Sequence, residues 1–410
     1  METRRPVKPE SGDHSPSPTQ RNGVSMNQFI DTEMKVKNIN TTEILKTLVS
    51  IPSWVDGKTN EIKVGNWIVD FLKENSKLKV TKQNIGNGRF NILAQNSNKI
   101  DVLVTGHMDT VQPNSGWTRN PIKPEVVGNK LYGLGTTDMK SGIAIMLYLT
   151  TLAKLKNNAG FLFYCDEEYD FLGMKSFIKY CKVRPCNIKP KLIISLDGEG
   201  LQIENSCRGL IELKIKAQGK AGHAANPKSG INAITESFKV INNLKKWLKT
   251  FRSKELGNST LNIAYINGGG DQGNIIAEKC EYIVEIRVAN ENLDATKVKD
   301  FIIKESENLS LKIDEVKVRH DLGNWITKKE DLKEIIKISD NKNVKSAKKS
   351  GYIDIQMLWQ EFNKIPTFSF GAGEKGMSHR ADEYVQISNI NKAQKFFEKL
   401  LTNKILSVVK

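Results

Sequence analysis

The sequence of 410 residues is 39% hydrophobic and 26% charged, with a formal net charge of +16. That length is too great for one small core and points to two domains, in a composition suited to a soluble globular protein. No apolar run approaches the roughly 20 residues of a membrane span, and the scattered Cys165, Cys181, Cys186, Cys207 and Cys280 lack paired spacing, so a membrane protein and a disulfide scaffold are set aside for a cytoplasmic one.

In chain order, residues 1–30 are rich in Ser, Pro, Arg and Lys and too poor in apolar residues to fold, so they read as a disordered tail. Met26 offers an alternative start, which makes the stretch either a leader or a functional tail. From Thr41, short apolar strands alternate with amphipathic helices, the mark of a mostly parallel sheet covered by helices. Residues 68–74 have helical spacing. Residues 101–107, "DVLVTGH", form a strand buried on both faces. A helix runs from Ser141 through "SGIAIMLYLTTLAKL", and "GFLFYC" and "KLIISL" follow as buried strands.

Between 206 and 321 the pattern changes to half-exposed strands such as "GLIELKIKAQG", in the order β-α-β-β-α-β of a ferredoxin-like motif. The larger α/β domain is therefore expected to comprise 31–205 and 322–410, with 206–321 inserted. "IPTFSFG" is a late strand of the larger domain with its Pro near the start, where a missing donor does least harm. The excess of lysine raises nucleic acid as a partner, but stretches such as "KKWLKTFRSKE" lack aromatics interleaved with glycines. The expectation is no nucleic-acid or membrane partner, with the basic surface free to attract small anions.

Apolar strands of the larger domain run directly into polar segments: "GHMDT" with His107 and Asp109, "DEEYD" with Glu167 and Glu168, "DGEG" with Asp197, and a stretch ending in His379. A fifth segment, "GLGTTDMKSG", sets Asp138 before a helix. Ligand sites of open parallel sheets form outside the carboxyl ends of the strands, so these five segments are expected to share one crevice. Imidazoles and carboxylates without a thiolate suit zinc or a similar divalent ion, and the acids are too many for one tetrahedral ion. Two ions about 3.5–4 Å apart sharing a carboxylate would use them all. Taken singly, Asp138 could be an N-cap, "DEE" a solvated turn and Asp197 a turn residue.

The stretches "VTGHMDTV", "GWTRNPIKPEVVGNKLYGLGTTDMKSGIA", "DEEYDFLG", "GKAGHAANPKSGINA", "GGGDQGNIIAEKCEYIVEIRV" and "FGAGEKGMSHRADEYV" occur in this order. Together they resemble the co-catalytic zinc family of glutamate carboxypeptidase, acetylornithine deacetylase and succinyl-diaminopimelate desuccinylase, from about Thr41 to the C-terminus. The resemblance implies a zinc-peptidase-like catalytic domain with an inserted dimerisation domain, a homodimer, and a small substrate bearing a carboxylate. It implies that His107 binds one zinc, Asp138 bridges two, Glu168 and His379 bind the second, Glu167 is the general base, and Asp109 orients the His107 imidazole. Relatives often carry Glu-Pro where this chain reads "SLDGEG", so Asp197 is taken as the remaining ligand with Glu199 as its rival. Leu134 also departs, since relatives often have Arg between the two glycines of "GLG".

The resemblance further implies that His223 reaches the partner subunit's site to steady an oxyanion, and that Asn274 and Arg287 hold the substrate carboxylate. A turn histidine and a solvent-face ion pair of Arg287 with Glu281 or Glu285 are the plainer readings. The implied activity is zinc-dependent hydrolysis of a peptide or N-acyl amino acid next to a free carboxylate, cobalt or manganese being able to take the same ligands. A biosynthetic deacylase and a non-catalytic metal-binding homologue are the alternatives, the intact Glu167 speaking against the latter.

Overall fold

A computed structural model describes residues 39–183, 188–339 and 353–403. The expected tail, with His14, lies outside the described residues, as does Cys186. Helix α1 (Thr41–Ser50) starts at Asn40, whose side chain accepts from the Thr42 amide and so satisfies one otherwise orphaned donor. Helix α2 (Ile62–Asn75) leads into strands β1 (Lys79–Gly86), β2 (Arg89–Gln95) and β3 (Ile100–His107). Helix α3 (Ser141–Thr150), strand β4 (Ala159–Tyr164), helix α4 (Leu172–Val183) and strand β5 (Ile188–Ser195) follow.

Strand β6 (Gly209–Gln218), helix α5 (Ala233–Trp247), strands β7 (Thr260–Gly268) and β8 (Lys279–Val288), helix α6 (Ala295–Asn308) and strand β9 (Lys312–Leu322) come next. Helix α7 (Ile355–Glu361), strand β10 (Thr367–Ser369) and helix α8 (Ile387–Thr402) complete the elements used below.

The central sheet has the order β1-β2-β4-β3-β5-β10. Strands β4, β3, β5 and β10 are mutually parallel, and β2 is antiparallel to both its neighbours. Alternation along the strands supplies both faces. Val102, Val104, Phe161, Phe163, Leu192 and Ile194 pack with α1, α2, α3 and α8, whereas Leu103, Leu162, Tyr164 and Ile193 pack with α4 and α7. Every residue of β3 and β4 is buried, which is why their sequences read as continuous apolar runs.

Helix α3 is buried on nearly all sides, but it ends at Thr150 rather than continuing through "TLAKL". The Thr150 and Thr151 hydroxyls donate back to the carbonyls of Leu147 and Tyr148, competing with the backbone just where the helix stops.

Residues 209–322 carry a second sheet, entirely antiparallel, in the order β7-β8-β6-β9. Leu213, Ile215, Val284 and Ile286 point to α5 and α6, whose N-termini are capped by Asn232 and Asp294. The other face is half exposed, as the alternating sequence requires. Among the described residues no helix is long and apolar enough to cross a membrane.

Candidate metal centre

The strand ends of the central sheet deliver their polar residues to one place. His107 is the last residue of β3 and is 1% exposed. Its neighbour Gly106 lets the next segment pack closely over the strand: a Cβ there would lie 2.8 Å from the Met139 methyl and 2.9 Å from Ile143, and those side-chain tips would have to shift. That segment turns at Gly135, with φ +79°, and places Asp138 in an extended conformation before α3 begins. Asp138 is therefore no helix cap. Its Oδ1 lies 3.1 Å from His107 Nε2 and its Oδ2 lies 3.4 Å from His379 Nε2.

His379 Nε2 is also 3.1 Å from Glu168 Oε1. Three sets of side chains have ligand atoms all within 4.8 Å of one another: His107, Asp138 and Asp197; Asp138, Glu168 and His379; and His107, Glu167 and Glu168. The first two share Asp138.

Asp197, not Glu199, is in these sets. The Glu199 carboxylate accepts from the Gly376 amide at 3.1 Å and the Ser378 hydroxyl at 2.8 Å, holding the loop that presents His379. Asp109 lies under His107. Its carbonyl is 3.0 Å from Nδ1 and its carboxylate 3.6 Å. A proton on Nδ1 shared with that carbonyl leaves Nε2 facing Asp138 with its lone pair. The Asp109 carboxylate also accepts from the amides of Glu167 (3.2 Å) and Glu168 (2.9 Å), so one residue steadies two segments of the crevice.

The electrostatics call for cations. Burial holds the Glu167 and Asp197 carboxyls well above the usual carboxylate range, and their acidic neighbours push the same way. Burial alone would lower the His107 imidazole, but Asp109 and Asp138 outweigh it and hold it well above its ordinary value. Asp138 and Glu168 push His379 up to about 10. Four carboxylates and two imidazoles converge, with no thiolate in any of the three sets. That donor set fits divalent ions of the zinc type, each set offering three protein ligands.

Three supports escaped the sequence reading. Glu383, 1% exposed, accepts from the amides of Gly135, Thr137 and Asp138 and so fixes the segment that carries Asp138; burial pushes it up to about 8. Asp354, fully buried, accepts from the Tyr164 hydroxyl at 2.7 Å, and the Tyr164 ring centre is 6.3 Å from that of His107. Glu61 and Arg89 bind the segment before Glu167. The only signal for Glu383 was its place in the stretch "HRADEYV".

The second sheet's candidates are placed differently. His223 is exposed, belongs to none of the three sets, and accepts from the Ala225 amide on Nδ1 at 3.1 Å. The Ala224 amide donates to the Asn274 carbonyl at 2.9 Å, so His223 and Asn274 sit on neighbouring exposed strands of chain. Arg287 donates from Nε to Glu285 at 2.8 Å, the ion pair that its strand face allowed.

Comparison with known proteins gives a consistent picture. The sequence pattern described as "Peptidase family M20/M25/M40" matches residues 103–403. The chain is 30% identical over 381 residues to a protein of Buchnera aphidicola (subsp. Schizaphis graminum) named acetylornithine deacetylase, covering 88% of this chain and 97% of that one. The fold is similar to a metallo-carboxypeptidase of this family from Sulfolobus solfataricus, with a TM-score of 0.71, 17% identity, and coverage of 88% and 98% of the two chains. It is also similar to a Bacillus subtilis protein described as a dinuclear metal binding peptidase, with a TM-score of 0.63, 15% identity, and coverage of 88% and 96%.

Proposed function

We propose, from the premise that this chain belongs to peptidase family M20/M25/M40 and is one of its metallohydrolases, that it cleaves an amide bond next to a free carboxylate using two zinc ions. The observation that carries the reading is Asp138, whose two oxygens face His107 and His379 on opposite sides. His107, Asp138 and Asp197 would hold one ion, and Asp138, Glu168 and His379 the other. When bound, such ions polarise a carbonyl, stabilise developing negative charge and make a water acidic enough to attack near neutral pH.

The remaining work falls to the chain. Glu167, half-buried beside the ligand sets, takes a proton from the attacking water and returns it to the leaving nitrogen. Asp109 keeps the His107 ring oriented and the Glu167–Glu168 backbone in place. His223 stands exposed away from its own chain's ligand sets, and we assign it to the oxyanion of a second copy's site, which makes the working unit a homodimer. Arg287, released from Glu285, and Asn274 bind the substrate carboxylate, a planar donor fork suiting that anion. Residues 206–321 act as a lid and dimerisation domain in this scheme. The scattered cysteines, without paired spacing in the sequence, favour a reducing compartment such as the cytoplasm.

A mass-spectrometric screen of the zinc-loaded protein tests the reading. Dipeptides and N-acyl amino acids are offered beside the same compounds with the carboxylate amidated. Cleavage confined to the free acids is expected. Equal cleavage of the amidated set, or none of either, removes the proposal. Hydrolysis of a single N-acyl amino acid with no dipeptide turnover would select a dedicated deacylase, the reading favoured by the relative named acetylornithine deacetylase.

A further inference from the structure

Directly before Glu167 the chain does something unusual. Asp166 is 2% exposed and adopts φ +71°, a left-handed conformation that a side chain disfavours. All its polar groups are engaged. Its amide donates to Glu61 Oε1 at 3.0 Å, and its carbonyl accepts from the Phe171 amide at 2.7 Å. Its Oδ2 accepts from the amides of Asp170 and Leu172, and its Oδ1 accepts from Arg89 Nη2 at 2.5 Å.

Arg89 also grips Glu61, through Nε at 2.7 Å and Nη2 at 2.5 Å. Its side chain is 11% exposed, against 0% for Glu61 and 3% for Asp166. The guanidinium thus joins three elements: β2, the start of α2 and the turn after β4.

We propose that Arg89 is a positioning residue for the hydrolytic site. By holding Asp166 in its left-handed turn against Glu61, it sends the next two side chains, Glu167 and Glu168, into the crevice. Asp109 pins the amides of those two residues from the other side, so the segment is clamped between Asp109 and the Arg89 cluster. The fork geometry is what matters. A lysine supplies the charge but cannot place separate donors on two carboxylates in one plane. This inference rests on the roles proposed for Glu167 and Glu168.

The two sets proposed to hold the ions, those sharing Asp138, differ in their link to this turn. Glu168 belongs to the set with His379, whereas the set with Asp197 contains no residue of this turn. Arg89→Lys should therefore weaken one ion selectively. Zinc titration of the full chain against a competing chelator is expected to show one of two sites weakened by about 10–100-fold and the other unchanged. On metal-saturated protein, kcat should fall by about 10–100-fold with KM little altered. A role in stability alone would leave both binding constants and kcat per metal-loaded chain at wild-type values.

If Arg89→Lys fails to fold, Glu61→Gln keeps a neutral acceptor for Arg89 and should show the same selective weakening in smaller degree. Identical titration of variant and wild type, or equal loss at both sites, overturns the inference. A wild-type chain that binds no zinc removes the functional reading as well, so the two failures are told apart by the wild-type titration.

Discussion

The strand-end crevice and the second sheet present their polar residues in opposite ways. In the crevice, His107 and Asp138 are held from behind by buried partners, Asp109 and Glu383, and the cluster is complete within one chain. Around the second sheet, His223 and Asn274 are exposed in the segments between strands and Arg287 is occupied by a neighbouring acid. The difference teaches that the candidate metal ligands are pre-ordered by the chain itself, whereas the groups proposed to recognise substrate would be ordered only by a substrate or a second copy.

The sharpest way to break this contrast is Glu167→Ala. It should lower the rate by about 10²–10⁴-fold while zinc content, measured by mass spectrometry of the metal, stays at the wild-type level. Loss of metal together with activity would mean that Glu167 is a ligand, as its place in one of the three sets permits. His223→Ala comes next, with kcat reduced by about 10²–10³-fold and metal retained. Co-expressing it with Glu167→Ala should restore activity, because one mixed site regains both groups. No restoration would place His223 in its own chain's site or nowhere in the reaction.

Arg287→Ala should raise KM by at least about 10-fold for free-acid substrates, the loss of one charge-assisted pair. An unchanged KM would return Arg287 to a solvent-face partner of Glu285. The smallest expected effect concerns His320, which packs edge-on against Phe171 at 5.1 Å beside the Glu167 segment. Burial, and then Arg319, hold its imidazole below the ordinary value of 6.5. The unfolded ring takes a proton before the folded one, so stability is full above that pH and declines as pH falls through the interval. His320→Gln should flatten this decline in urea unfolding measured at about pH 7.5 and pH 5. An equally steep decline in the variant would assign it to other groups.

How much of this was legible follows from where the information lies. The parallel strands announce themselves because β3 and β4 are buried on both faces, and the candidate ligands follow at strand ends, so five segments pointed to one crevice. The β-α-β-β-α-β order of the second sheet was equally plain in its alternation. Arg89, Glu61, Asp354 and Glu383 gave no such signal. A buried charge looks like a surface charge until its partner, 28 residues away for Arg89 and Glu61, is brought against it. Two nearby acids, Asp197 and Glu199, look alike in sequence, and the difference between them is that Glu199 accepts from Gly376 and Ser378 whereas Asp197 lies in a candidate ligand set. The end of α3 was missed because threonine hydroxyls that stop a helix are ordinary helix residues in sequence.

Anomalous diffraction from a zinc-loaded crystal tests the paired-ion arrangement most directly. Two peaks about 3.5–4 Å apart, with one oxygen of Asp138 against each, are predicted. A lone peak, or two peaks with Asp138 turned away from either, would contradict it.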